Sequence, residues 1–70
     1  MKIVGGELTQ AQIEAGLTAM RGRFNATKVM KALDEAGVTN YVSGAEVLIV
    51  SELKHGNIKR IARGIYEQKT

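Results

Sequence analysis

The segment LKHGNIKRIARGIY, residues 53–66, allows two structures, and the choice between them sets the fold class. As a hairpin it has strands at 58–61 and 65–67, with Gly64 in the turn, where glycine adopts the required dihedral angles without steric cost. The isoleucines and the tyrosine favour strands. As a helix capped by Asn57 it has apolar residues at helical spacing, but Gly64 in the helix interior costs about 1 kcal/mol.

The same segment carries the excess positive charge of the chain. Residues 54–70 contain five basic residues and one acidic residue, whereas residues 1–53 contain five basic and six acidic ones, within a total of +3. A dense basic hairpin is costly to place without an anionic partner. We therefore expect Lys59, Arg60 and Arg63 to contact phosphates.

Two helices are predicted upstream of this segment. The first begins at Thr9, which forms a capping box with Gln12, and Gly22 is a plausible stop. Its apolar residues at helical spacing are Ile13, Leu17, Met20 and Phe24. The second is expected to begin at Asn25 and to end at Gly37.

A third helix is predicted from Gly44 to His55, capped by Ser43 in a second capping box. Helical spacing directs Ile49, Val50 and Leu53 to one side. The opposite side then holds Gly44, Leu48, Ser51, Glu52 and His55. On this prediction Leu48 is exposed and is the candidate residue for contact with a protein partner.

Periodicity leaves a further alternative open, since the run at 47–50 is also prone to form a strand. If 47–53 is a strand and 57–67 is its hairpin partner, a pair of helices packs on a small antiparallel sheet. If 57–67 is instead helical, the chain is an all-α helix-turn-helix bundle.

The order helix, helix, connector, helix, basic hairpin resembles the winged helix-turn-helix family over about residues 8–67. The likeness is strongest at Leu53–Tyr66, where a leucine precedes Gly56 by three residues and is followed by Ile58, Arg60 and a glycine–x–aromatic tip. The resemblance implies an α+β fold in which three helices precede a C-terminal β-hairpin wing.

This resemblance implies a small DNA-binding protein, a transcriptional regulator of bacterial, phage or plasmid type. Its third helix would lie in the major groove of double-stranded DNA and its wing on the phosphates, and we expect it to act as a homodimer. The implied DNA-contacting residues are Lys59, Arg60, Arg63, Ser51, His55, Lys54, Tyr41 and Asn40. The alternative is a protein–protein interaction module of winged-helix shape that does not bind nucleic acid.

Composition excludes several other classes of protein. We expect the 70 residues to form one small domain, with residues 1–7 as a short strand or a flexible arm. Without cysteine, and with a single histidine, no disulfide or metal site is expected. The sequence contains no nucleophile–base set, so we expect no enzyme activity, no cofactor and no small-molecule substrate. The longest apolar run has four residues, which predicts no membrane span and a cytoplasmic location.

Overall fold

Three helices precede a C-terminal antiparallel hairpin in the computed structural model, which describes residues 1–69. The elements in chain order are β1 (Lys2–Ile3), β2 (Gly6–Glu7), α1 (Gln10–Thr18), β3 (Arg23–Phe24), α2 (Ala26–Glu35), α3 (Tyr41–Lys54), β4 (Ile58–Ala62) and β5 (Ile65–Gln68). The last three strands form one antiparallel sheet in the order β3-β5-β4. This is an α+β layout that matches a winged-helix arrangement. The alternatives with a helical 57–67 or a strand at 47–53 are wrong.

The first two helices begin where the sequence predicts. The Thr9 hydroxyl accepts from the Gln12 backbone N–H at 3.2 Å, and the Gln12 side chain accepts from the Thr9 N–H at 3.0 Å. Asn25 caps α2 by accepting from the Lys28 N–H at 2.9 Å. These bonds satisfy backbone donors that would otherwise lack partners at the start of a helix.

The end of the first helix differs from the prediction. Helix α1 stops at Thr18, and Phe24 lies in strand β3 instead of continuing the helical series. Gly22 turns the chain with a φ of +61°. Phe24 is then buried beside Tyr66 of β5, with ring centroids 5.6 Å apart, and this stacking holds β3 on the wing sheet.

Helix α3 begins three residues earlier than predicted. Its N-cap is Asn40, and the proposed capping box at Ser43 is wrong. The Ser43 hydroxyl accepts instead from the Val4 backbone N–H at 3.0 Å. At the other end, Gly56 leaves the helix with a φ of +74°, as its position after the last apolar residue predicts.

The predicted faces of α3 are also wrong. Leu48 is only 1% exposed, so its assignment as an exposed partner contact is overturned, whereas Val50 is 56% and Leu53 38% exposed. The buried residues of the helix are Gly44, Ala45, Leu48 and Ile49. The close approach of α1 explains this rotation, because a Cβ at Gly16 would lie 2.5 Å from Leu48 Cδ1.

The first strand of the wing contains a β-bulge that the sequence does not predict. In a regular strand Ile58 and Ile61 would lie on opposite faces. The register shifts by one residue between Arg60 and Ala62, which places Ile61 at a β-bulge. Ile58 is buried under the base of the wing, and Gly64 forms the turn with a φ of +75°.

Residues 1–7 contain the small antiparallel hairpin β1–β2. Asn40 Nδ2 donates to the Val4 carbonyl at 2.7 Å, which docks the hairpin beside the start of α3. Leu8, which follows the hairpin, is buried in the core. No helix in the described part of the chain combines the length and apolar character needed to cross a membrane.

Candidate nucleic-acid interface

The two faces of the wing sheet carry different chemistry. Arg60 pairs with Tyr66 across the β4–β5 ladder, and Lys59 pairs with Glu67. Because side chains alternate along a strand, Arg60 lies on the same sheet face as Tyr66 and Ile58, which is the face toward the helices. Lys59 and Glu67 lie on the outer face.

Glu67 forms ion pairs with two basic side chains on that outer face. Its carboxylate accepts from Arg23 Nε at 3.2 Å and lies 3.6 Å from Lys59 Nζ. The hydrogen bond from Arg23 lowers the pKa of Glu67 below its ordinary value. Desolvation opposes this effect, and the nearby charge of Lys59 adds to it. Lys59 is therefore partly neutralised within the chain.

Arg60 and Arg63 lie on β4 and in the wing turn, and both are exposed. Lys54, the last residue of α3, is also exposed and comes four residues before the first strand of the wing. Within residues 1–69 none of these three cations forms an ion pair. An external anion can therefore contact these three side chains without displacing a carboxylate of the chain.

The outer face of α3 is poorly suited to reading bases. Its exposed row at four-residue spacing is Val42, Glu46, Val50 and Lys54. Specific readout of the major groove relies mainly on arginine, asparagine or glutamine forming paired hydrogen bonds with base edges. A helix laid in that groove by this face would also bring the Glu46 carboxylate toward phosphates.

Four other predicted DNA contacts lie at the two ends of α3. His55 is exposed at the C-cap, and its Nδ1–H donates to the Ser51 carbonyl at 2.8 Å. Ser51 is half-buried beside it, with its hydroxyl 3.5 Å from the same ring nitrogen. Asn40 is engaged as the N-cap and in docking the first hairpin, and Tyr41 is partly exposed in the first turn.

Sequence reasoning missed two features of this region. The Arg23–Glu67 pair joins residues 44 positions apart and depends on β3, a segment whose sequence pattern predicts the end of the first helix. The exposed apolar residues on the outer face of α3 were also missed, because the predicted rotation of this helix was wrong. The small residues Gly16 and Gly44, which both face Leu33, were the available signal for the buried side.

No group of three or more histidine, cysteine, aspartate or glutamate side chains within residues 1–69 is placed to hold a metal ion. Comparisons with protein-family models, with curated proteins and with solved structures found no match. Function is therefore inferred from the residues and the geometry of this chain.

Proposed function

We propose that this chain binds double-stranded DNA through its phosphate backbone, with the wing as the main contact. The observation that carries the proposal is the exposure of Arg60 and Arg63 at the wing, without an ion pair among the described residues. Lys54 at the end of α3 is a third exposed cation of this region. Phosphate contacts supply affinity that does not depend on sequence, and they release counterions, so the binding depends on salt.

The proposal assigns affinity to the wing and does not assign base readout to α3. Apart from Lys54 at its end, the exposed row of α3 offers two valines, which are apolar, and one carboxylate, which repels phosphates. A small regulator of transcription located in the cytoplasm remains the biological setting that we propose. Its choice of site on DNA would then depend on DNA shape or on a second DNA-contacting element.

The test is a fluorescence anisotropy titration of a labelled random-sequence duplex at several salt concentrations. Wild-type protein is compared with the double variant Arg60→Gln/Arg63→Gln, which leaves the Lys59–Glu67 pair in place. Removal of two phosphate contacts should weaken binding at low salt and make the slope of log K against log [salt] less negative by about 2.

A matched control removes the same charge elsewhere. Lys2→Gln/Lys31→Gln changes two exposed lysines, one in β1 and one on α2. If the wing is the contact, this variant keeps most of the wild-type slope. An equal loss of slope in both double variants would show only a general attraction to the net positive charge, and would refute the wing as the site. Absence of duplex binding at low salt would refute the proposed function.

A second candidate function is a protein-interaction module of the same shape. The observation that favours it is the exposure of Val42, Val50 and Leu53 along α3. Leu48 cannot test this candidate, because its substitution would disrupt the core. Val50→Asp is the suitable variant: it should abolish a protein interaction and leave the wing's duplex binding at low protein concentration unchanged.

A further inference from the structure

The outer face of α3 is an apolar ridge bordered by shallow grooves. Val42 and Val50 are 57% and 56% exposed and lie two turns apart on the same side of the helix. On one flank a groove between α2, α3 and β5 is lined by Met30, Leu53 and Tyr66. Such a concentration of exposed apolar side chains on a small domain marks a surface for association.

The charges on this ridge are self-complementary. Glu46 lies four residues before Val50, and Lys54 lies four residues after it, so the two opposite charges are equidistant from that valine along the helix. In the commonest class of helix packing, rows of side chains at four-residue spacing lie side by side. If two copies of α3 pack antiparallel with their Val50 side chains at the two-fold axis, each Glu46 lies opposite the Lys54 of the other copy.

We propose that the outer face of α3 binds a second copy of this chain as an antiparallel two-fold pair centred on Val50. The pairing buries Val50 of both copies and forms the Glu46–Lys54 contact twice. A two-fold interface is built from the same surface on both partners, and this charge arrangement satisfies that condition. The wing arginines are not used in the contact, so the proposal does not depend on DNA binding.

The size of the surface sets the expected strength. The whole chain exposes 4623 Å², and a standard-size interface of about 800 Å² per partner would take roughly a sixth of it. We expect one face of a 14-residue helix to bury less than this. We therefore expect a weak dimer, with a dissociation constant in the range of about 10 to 100 μM.

The test is charge reversal followed by sedimentation equilibrium over a range of protein concentrations. Glu46→Lys places two lysines opposite each other at both contacts, and Lys54→Glu does the same with two glutamates. Each single variant should weaken dimerisation about tenfold or more, because attraction becomes repulsion twice per dimer. The double variant Glu46→Lys/Lys54→Glu keeps the net charge of the wild type and should restore the dimer.

Matched controls are Glu14→Lys on α1 and Lys31→Glu on α2, which make the same charge changes at exposed residues away from this face. They should leave dimerisation within about twofold of wild type. A wild-type chain that stays monomeric at about 1 mM would overturn the proposal and leave the ridge to a different protein. A dimer that the double variant fails to restore would overturn the axis at Val50. Duplex titration at protein concentrations far below the dimer range reports on the proposed function separately.

Discussion

Leu48 and Val50 are two residues apart on α3 and have opposite environments. Leu48 packs in the core against the backbone of Gly16, and Val50 faces outward. Leu48→Ala should therefore lower the free energy of unfolding by about 2–5 kcal/mol, because it removes buried methyl groups and leaves a cavity. Val50→Ala should change it by at most about 0.5 kcal/mol.

Thermal unfolding followed by circular dichroism, at a protein concentration too low for dimers, compares the two variants. In a domain of this size about 1 kcal/mol corresponds to roughly 4–8 °C, so Leu48→Ala should lower the Tm by about 10 °C or more or unfold the chain. Equal shifts in the two variants would contradict the rotation of α3 described above.

Glu67 makes stability depend on pH at the acidic end. Its pKa is lowered in the folded chain, mainly because Arg23 donates to its carboxylate, so folding favours the ionised form. The resulting stabilisation is complete above the ordinary value of 4.5 and is lost as the pH falls through the lower folded value. Wild type should therefore exceed Glu67→Gln in Tm at about pH 6, and the gap should close toward about pH 2.5.

Added salt provides the control for this effect. Both cations and the carboxylate are at the surface, so about 1 M salt should shrink the gap in Tm at about pH 6. A gap that is independent of pH would mean that the Glu67 side chain acts through packing and not through its charge.

The wing as an element depends on its turn. Gly64 has a φ of +75°, a conformation that costs other residues roughly 1–2 kcal/mol, so Gly64→Ala should open the hairpin more often. Amide exchange across β4 and β5 should accelerate about tenfold for each 1.4 kcal/mol. Gly6→Ala is the matched control, because its backbone φ is not positive and no atom lies within 4 Å of the added Cβ. Equal exchange in the two variants would contradict a strained turn.

Sequence patterns within a few residues correctly predicted the starts of α1 and α2 and the turn of the wing, which depend on nearby residues. The capping box at Thr9, the cap at Asn25 and the turn at Gly64 each involve residues within a few positions, and all three are confirmed. Strand β3 and the buried side of α3 depend on contacts distant in sequence. Phe24 continues a helical pattern in the sequence but lies in a strand, where it pairs and stacks with Tyr66.

The same distinction applies to the candidate site. The basic character of the wing was readable from charge alone, because five cations cluster in the last 17 residues. The separation of Lys59, paired to Glu67, from Arg60 and Arg63 required the register of the sheet. Predicting the exposed ridge on α3 requires the rotation of this helix about its axis. Tertiary packing sets that rotation, and the sequence does not reveal it because apolar residues lie on both sides of the helix.

In the whole molecule, the proposed dimer should change the proposed DNA contact, because a dimer carries two wings and a monomer carries one. One wing offers Arg60 and Arg63, whereas a two-fold pair offers two such wings, with Lys54 engaged between the copies. Below the dimer range Lys54 is free and adds to the two arginines, so the slope of log K against log [salt] should be about −3. Above that range it should approach −4, provided that one duplex reaches both wings.

Anisotropy titrations at two labelled-duplex concentrations, below and above the dimer range, measure both slopes. Val50→Asp places two carboxylates at the two-fold axis and adds no phosphate contact, so it should keep the slope near −3 throughout. The same slope for wild type in both regimes, combined with a dimer seen by sedimentation, would mean that the two wings face away from a common duplex. A slope that steepens in Val50→Asp as in wild type would instead attribute the second set of phosphate contacts to independent monomers bound side by side.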